Sequence, residues 1–177
     1  AEISLMGTAG GYIVSATSDP TALVQADPNT VTNAVHRDYA VPTAMALRAD
    51  RPFLAASSGY AGRPSDGLSQ LDRSRTLTSR YHRADPGNVV QTARLDLRHG
   101  PVTLALGFGR DAGAAVATAG ASVRTPFADT RTRYQHGWRD YDAGLRKPPA
   151  DLPERLQDAY RLSANVLKAS EDKTFPG

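Results

Sequence analysis

No cysteine occurs in these 177 residues, which removes disulfides, thiolate metal ligands and a cysteine nucleophile from consideration. Glutamate is nearly as scarce, present only as Glu2, Glu154 and Glu171. No run of eighteen apolar residues exists, so no segment reads as a membrane-spanning helix. The first residues, Ala1-Glu-Ile-Ser-Leu-Met, lack the basic start and apolar core of a secretory leader. They also lack an initiator methionine, which implies a processed or trimmed start. There is no GxSxG nucleophile elbow, and Ser57-Ser58-Gly59-Tyr60 reads as a strand end. The histidines His36, His82, His99 and His136 stand far apart, without the HxxxH or HExxH spacing of a helical metal site. Neither an internal repeat nor a low-complexity tract is visible.

What is present suits one domain, or one domain and a piece of another, with 40% apolar residues for a core. The formal charge of +3 is spread over interspersed Arg and Asp, so nucleic acid is not the implied partner. The one basic stretch, Arg73 to Arg83 (RSRTLTSRYHR), reads as a solvated turn between strands.

The first hundred residues read as β. Short apolar runs begin at Gly11, Ala22, Ala44, Phe53, Val89 and Val102. Turn chemistry separates them at Asp27-Pro-Asn, Arg63-Pro-Ser-Asp-Gly and Asp85-Pro-Gly-Asn. Imperfect alternation through Val90, Thr92, Leu95 and Leu97 suggests a bulge between Thr92 and Leu95. Many short strands without helices between them argue for an antiparallel sandwich.

From Asp111 the texture is helical. Asp111 is a candidate N-cap for an Ala-rich helix from Ala112 to Val123. A second helix after Thr125-Pro126 carries Phe127, Tyr134, Trp138, Tyr141 and Leu145 as one stripe, expected to be core rather than a sugar-stacking surface. Lys147-Pro-Pro-Ala breaks it. Asp151-Leu-Pro-Glu then reads as a capping box, with Asp151 as N-cap and Glu154 at N3. The helix it opens is expected to bury Leu152, Leu156, Ala159, Tyr160, Ser163 and Leu167. Its ending in a charged turn and Pro-Gly suggests a chain that continues beyond Gly177.

Two patterns resemble chemistry. Gly107-Phe-Gly-Arg-Asp-Ala has the GxGxxA form of a dinucleotide fingerprint, but no acidic strand end follows at the required distance. It reads instead as a glycine-mediated close approach, and no cofactor is expected. Glu154 is accounted for as a cap. Glu171 and Asp172 are neighbours in sequence and read as loop residues. Taken from the residues alone, the chain is a β-sandwich followed by three helices, with no catalytic, cofactor-binding or metal-binding residue.

Five stretches in order carry a resemblance. These are Ser58-Gly-Tyr-Ala-Gly-Arg-Pro-Ser-Asp-Gly-Leu, Pro86-Gly-Asn-Val-Val-Gln-Thr, and Leu104-Ala-Leu-Gly-Phe-Gly with the Ala-rich helix. Tyr134-Gln-His-Gly-Trp-Arg-Asp-Tyr and Ser163-Ala-Asn-Val-Leu-Lys-Ala-Ser-Glu-Asp-Lys-Thr-Phe-Pro-Gly follow. Together they resemble glycoside hydrolase family 15, of the bacterial glucoamylase and glucodextranase type, over Ala55 to Gly177. Arg63-Pro64 stands as an insertion before Ser65-Asp66-Gly67, and Leu68 takes the place of a frequent Trp. The resemblance implies an antiparallel β-supersandwich (galactose-mutarotase-like) at 1–110, linker helices at 111–150 and the first helix of an (α/α)6 catalytic barrel at 151–177. It also implies a parent enzyme acting on α-glucans from non-reducing ends with inversion, by a glutamate acid and a glutamate base. Neither of those motifs matches any residue of this chain, so the segment alone is expected to be inactive. A free-standing carbohydrate-binding or docking sandwich is the alternative. An α-glucan or oligosaccharide substrate of the parent and the barrel itself are the implied partners. Secretion is favoured over the cytoplasm, and α-1,4, α-1,6 and trehalose linkages remain open.

Overall fold

The computed structural model describes residues 2–7, 14–27 and 43–171. It divides into two compact units, Ala1–Thr130 and Arg131–Gly177.

The first unit is two antiparallel sheets. β1 (Glu2–Gly7), β7 (Val89–Arg94) and β5 (Ala55–Tyr60) form a three-stranded sheet in the order β1-β7-β5. The larger sheet runs β6-β2-β3-β4-β8, built from β6 (Arg83–Gly87), β2 (Val14–Ser18), β3 (Leu23–Asp27), β4 (Thr43–Ala49) and β8 (Leu104–Gly109). Their facing sides share a core, in which Leu23 packs with Phe53, Ala56, Ala93 and Leu95, and Val14 and Ala16 with Ala84 and Val89. This is the expected sandwich.

The β2–β3 hairpin is set by its own turn. Asp19 Oδ1 accepts from the Thr21 amide at 2.6 Å and the Ala22 amide at 2.9 Å, an Asx turn. Burial pushes the Asp19 carboxyl up, but bonds from Thr21 and Ala22 and the charge of Arg48 outweigh it, leaving the pKa lowered. A carboxyl lowered on folding stabilises the fold above its unfolded pKa of about 3.9. That contribution is lost as pH falls through the folded value. Asp19→Asn should therefore weaken the protein in urea at neutral pH, and the loss should shrink as pH falls through the folded value.

The outer faces are covered by helices. α2 (Ala112–Arg124) lies on the five-stranded sheet, with Ala115 and Ala119 fully buried against Ala22, Val24, Ala44 and Ala46. A buried methylene-sized group stabilises by about 0.8 kcal/mol, so closeness and number hold this contact rather than any large side chain. α1 (Gly67–Ser74) and its loop cover the three-stranded sheet at Thr92. Covered on both faces, β5 and β7 are buried at almost every position.

That coverage explains several differences from the sequence expectations. β7 pairs with both neighbours in unbroken register, so there is no bulge between Thr92 and Leu95. Its imperfect alternation comes from burial on both sides. α1 interrupts the run of strands, because Asp66 caps a helix inside what reads as a turn. Asp85-Pro86-Gly87 is not a turn but the end of β6, an edge strand where a proline costs no ladder bond, with its register against β2 shifted between Val14 and Ala16. The stretch from Arg73 to Arg83 is the solvated connection expected, but it joins α1 to β6. The run from Gly11 is described only from Val14, and of Asp27-Pro-Asn only Asp27 is described.

β8 shows what the GxGxxA pattern does. It pairs antiparallel with β4 and leads directly into α2, whose N-cap is Asp111, accepting from the Ala114 amide at 2.8 Å. A Cβ at Gly107 would lie 2.3 Å from the Ala119 nitrogen. The glycines bring helix and strand backbones together, and among the described residues no strand follows α2 to complete a βαβ unit. The opposite face of β8 presents Leu104, Leu106 and Phe108, all exposed.

The second unit holds most of α3 (Phe127–Gly144) and α4 (Glu154–Ala169). α4 begins at Glu154 with Pro153 as N-cap and no side-chain cap bond. The Asp151 capping box does not form, because Pro153 already occupies the cap position and fixes φ there.

Candidate functional site

Each resemblance-bearing stretch can be followed to what it touches. Ser58 Oγ accepts from Gln91 Nε2 at 3.0 Å, and the same nitrogen donates to the Thr17 carbonyl at 2.7 Å. Gln91 thereby ties β5, β7 and β2 together across the sandwich. Ser57 Oγ accepts from the Tyr81 amide, and Ser65 Oγ from the Tyr60 amide, each at 3.1 Å. Asp66 uses both oxygens, Oδ1 on the Leu68 amide at 2.9 Å and Oδ2 on the Gly62 amide at 2.8 Å. Gln70 Oε1 accepts from the amides of Thr78 and Ser79 at 2.9 and 2.8 Å. These side chains are nearly all buried and bond backbone or one another rather than opening on a shared space. The SSGY…SDG stretch is a polar knot that fixes a loop, a helix and a sheet. Asp66→Ala should cost about 2 kcal/mol, through the lost cap and an orphaned Gly62 amide, read from the urea midpoint.

The last two stretches meet between α3 and α4. Tyr141 Oη donates to the Ala164 carbonyl and Tyr160 Oη to the Arg146 carbonyl, each at 2.8 Å. Tyr134, Trp138 and Tyr141 form an edge-to-face series with ring centroids 6.1 and 5.9 Å apart. Lys168 Nζ sits 5.6 Å from the Tyr141 centroid, a cation–π contact, and 2.6 Å from Glu171 Oε2. Beside them lies a cleft of about 480 Å³ lined by Arg133, Tyr134, Gly137, Trp138, Tyr141, Lys168 and Ala169.

The expected burial of these helices does not occur. No residue of α3 or α4 is buried. Tyr134 is 66% exposed and Phe127 62%, while Trp138 and Tyr141 are half-buried. On α4 the expected core face of Leu156, Ala159, Tyr160, Ser163 and Leu167 is exposed, with Leu167 at 74%. Contact with α3 is made instead by Ala164, Lys168 and their neighbours. The face expected to be core is therefore not the one that meets α3.

Among the described residues no catalytic pair assembles. Glu154 opens α4 and Glu171 pairs with Lys168, while the side chain of Glu2 and residue Asp172 lie outside the described residues. Hydrogen bonds from Arg98 hold the Asp96 carboxyl well below the usual carboxylate range, an ion pair within one loop. His82 Nδ1 meets the Ser18 carbonyl at 3.3 Å, and His136 pairs with Asp140 one turn along α3. Among the described residues no group of His, Asp or Glu is arranged to hold a metal.

Against known proteins, no curated sequence matches this chain. A crystal structure of a bacterial glucoamylase complexed with acarbose matches it in three dimensions with a TM-score of 0.68 at 23% identity. The match covers 93% of this chain and 22% of that one, so the chain spans less than a quarter of the glucoamylase's length. At that identity the likeness establishes the fold, a β-sandwich followed by helices. The family model described as glucodextranase, domain N, matches residues 7–143, taking in β2 to β8, α1, α2 and nearly all of α3. The chain belongs to the glucodextranase N-domain family.

Proposed function

We propose that this chain is the N-terminal sandwich and linker of an inverting, exo-acting α-glucan hydrolase that releases glucose from non-reducing ends. In this reading 1–110 is the sandwich, 111–150 the linker and 151–177 the first helix of the catalytic barrel. The acid and base glutamates lie elsewhere in the parent enzyme, and the segment supports the barrel without an active site of its own. The observation that carries this is the exposed apolar surface of α4, with Leu162, Val166 and Leu167 all more than half exposed around the helix. Burying one such side chain is worth roughly 1.5–3 kcal/mol, so three on one helix supply a strong drive to dock. Family membership and the glucoamylase fold agree with a helical catalytic domain as the docking partner.

The test is an assay of the 177-residue chain and of the parent enzyme on starch, dextran and malto-oligosaccharides. The chain should release no glucose, whereas the parent should. The double variant Leu162→Asp, Val166→Asp should destabilise the parent and leave the isolated chain's unfolding midpoint almost unchanged. Glucose release by the chain, or a parent indifferent to the variant, contradicts the reading.

A second reading, a carbohydrate-binding module, is favoured by the aromatic cleft at Trp138. Aromatic rings offer apolar faces and Arg133 a donor, the mixture that sugar binding uses. Calorimetric binding of glucan oligosaccharides to the isolated chain, lost in Trp138→Ala, would select it.

A further inference from the structure

We propose that Arg48 and Arg124 form an oxyanion site beside Gly120, taking a carboxylate or phosphate group. Arg48 extends from β4 on the side that α2 covers, one alternation beyond Ala44 and Ala46. Arg124 is on the last turn of α2. A Cβ at Gly120 would fall 2.5 Å from Nη1 of Arg48 and 3.5 Å from Nη1 of Arg124. The two nitrogens are therefore separated by no more than those distances together, with the glycine providing the room. Arg48 is half-buried, and its Nε is fully buried without a hydrogen-bond partner among the described residues. No described carboxylate is ion-paired with either guanidinium. Asp19 is close enough to feel the charge of Arg48, but its Oδ1 is taken by Thr21 and Ala22.

Two cations held this close repel, and a desolvated guanidinium N–H without an acceptor is costly. The C-terminal end of α2 offsets part of this, since helix carbonyls favour cations there. The unmet need is for an acceptor with two or more oxygens, which guanidinium groups bind in a bidentate fork. A bound oxyanion on the Nη groups would offset the two charges and fasten α2 to β4.

The experiment follows the Arg Nε–Hε resonances and the thermal midpoint while inorganic phosphate or acetate is titrated against sodium chloride at constant ionic strength. Saturable movement of the Arg48 resonance and a rise in midpoint are expected. Both should be lost in Arg48→Gln. Gly120→Ala keeps every charge but places a methyl where the Arg48 guanidinium lies, and should weaken binding by roughly tenfold or more. If the resonance in the parent enzyme already sits at its bound position without added anion, the acceptor is a carboxylate of the protein itself, and the site stands. If it moves only on adding phosphate or acetate, the ligand is a free anion. No response beyond that of chloride, or binding unchanged in both variants, overturns the proposal.

Discussion

Gly59→Ala is expected to lower the unfolding free energy by about 3 kcal/mol, the upper end of what overpacking usually costs. The added Cβ would lie 1.8 Å from the Ser65 carbonyl oxygen and 2.5 Å from its carbon. Both are backbone atoms, so no side chain can swing aside. The loop cannot easily retreat either, because Ser65 Oγ holds the Tyr60 amide and Asp66 caps α1 while holding Gly62. Relief of the clash would break bonds that the knot depends on. Gly137 is the natural control, since nothing lies within 4 Å of a Cβ built there. Alanine at that α3 position should stabilise by roughly 0.5–1 kcal/mol. Urea unfolding of both variants separates crowding from a general intolerance of alanine.

Gly107→Ala should be of similar size, about 3 kcal/mol, through a different contact. Its Cβ would meet the Ala119 nitrogen at 2.3 Å, the Ala115 carbonyl at 2.6 Å and the Ala119 Cα at 2.9 Å. These are atoms of the α2 backbone, so the helix must lift from β8. Hydrogen exchange of α2 amides should speed up while the knot around Gln91 keeps its protection. The same variant separates two meanings of the GxGxxA pattern. A dinucleotide site would lose cofactor affinity at unchanged stability, whereas a packing contact loses stability.

Much of the fold was legible because its determinants are local. Asp111 before an Ala-rich run announces α2, and Thr125-Pro126 announces the start of α3, as the structure shows. β3, β4 and β8 fall where their apolar runs place them. What was not legible depends on partners distant in sequence. Asp85-Pro-Gly has the composition of a turn, and only its position at a sheet edge makes it strand. Asp66 looks like one more turn residue until Gly67 finds room against Thr92, twenty-five positions on. The imperfect alternation of β7 was visible, yet a second covering layer rather than a bulge caused it. Burial of α3 and α4 was inferred from period alone. A period shows which residues share a face, not whether anything covers it.

The resemblance and the structure meet in the same residues. Stretches that identify the family prove to be contacts with one another: Ser58 with Gln91, Gly107 with Ala119, Tyr141 with Ala164. Each holds elements together, and none assembles a pair of carboxylates. That is why sequence reasoning could identify the family while finding no active site.

The most direct test of the docking account is amide hydrogen exchange of α4, compared between the isolated chain and the parent enzyme. In the isolated chain the amides from Leu162 to Leu167 should exchange quickly, because the helix packs on one side only. In the parent they should be strongly protected, with the gain concentrated on α4 and little change in β5 and β7. Equal exchange of these amides in the two proteins would contradict the account and leave the exposed leucines without a partner.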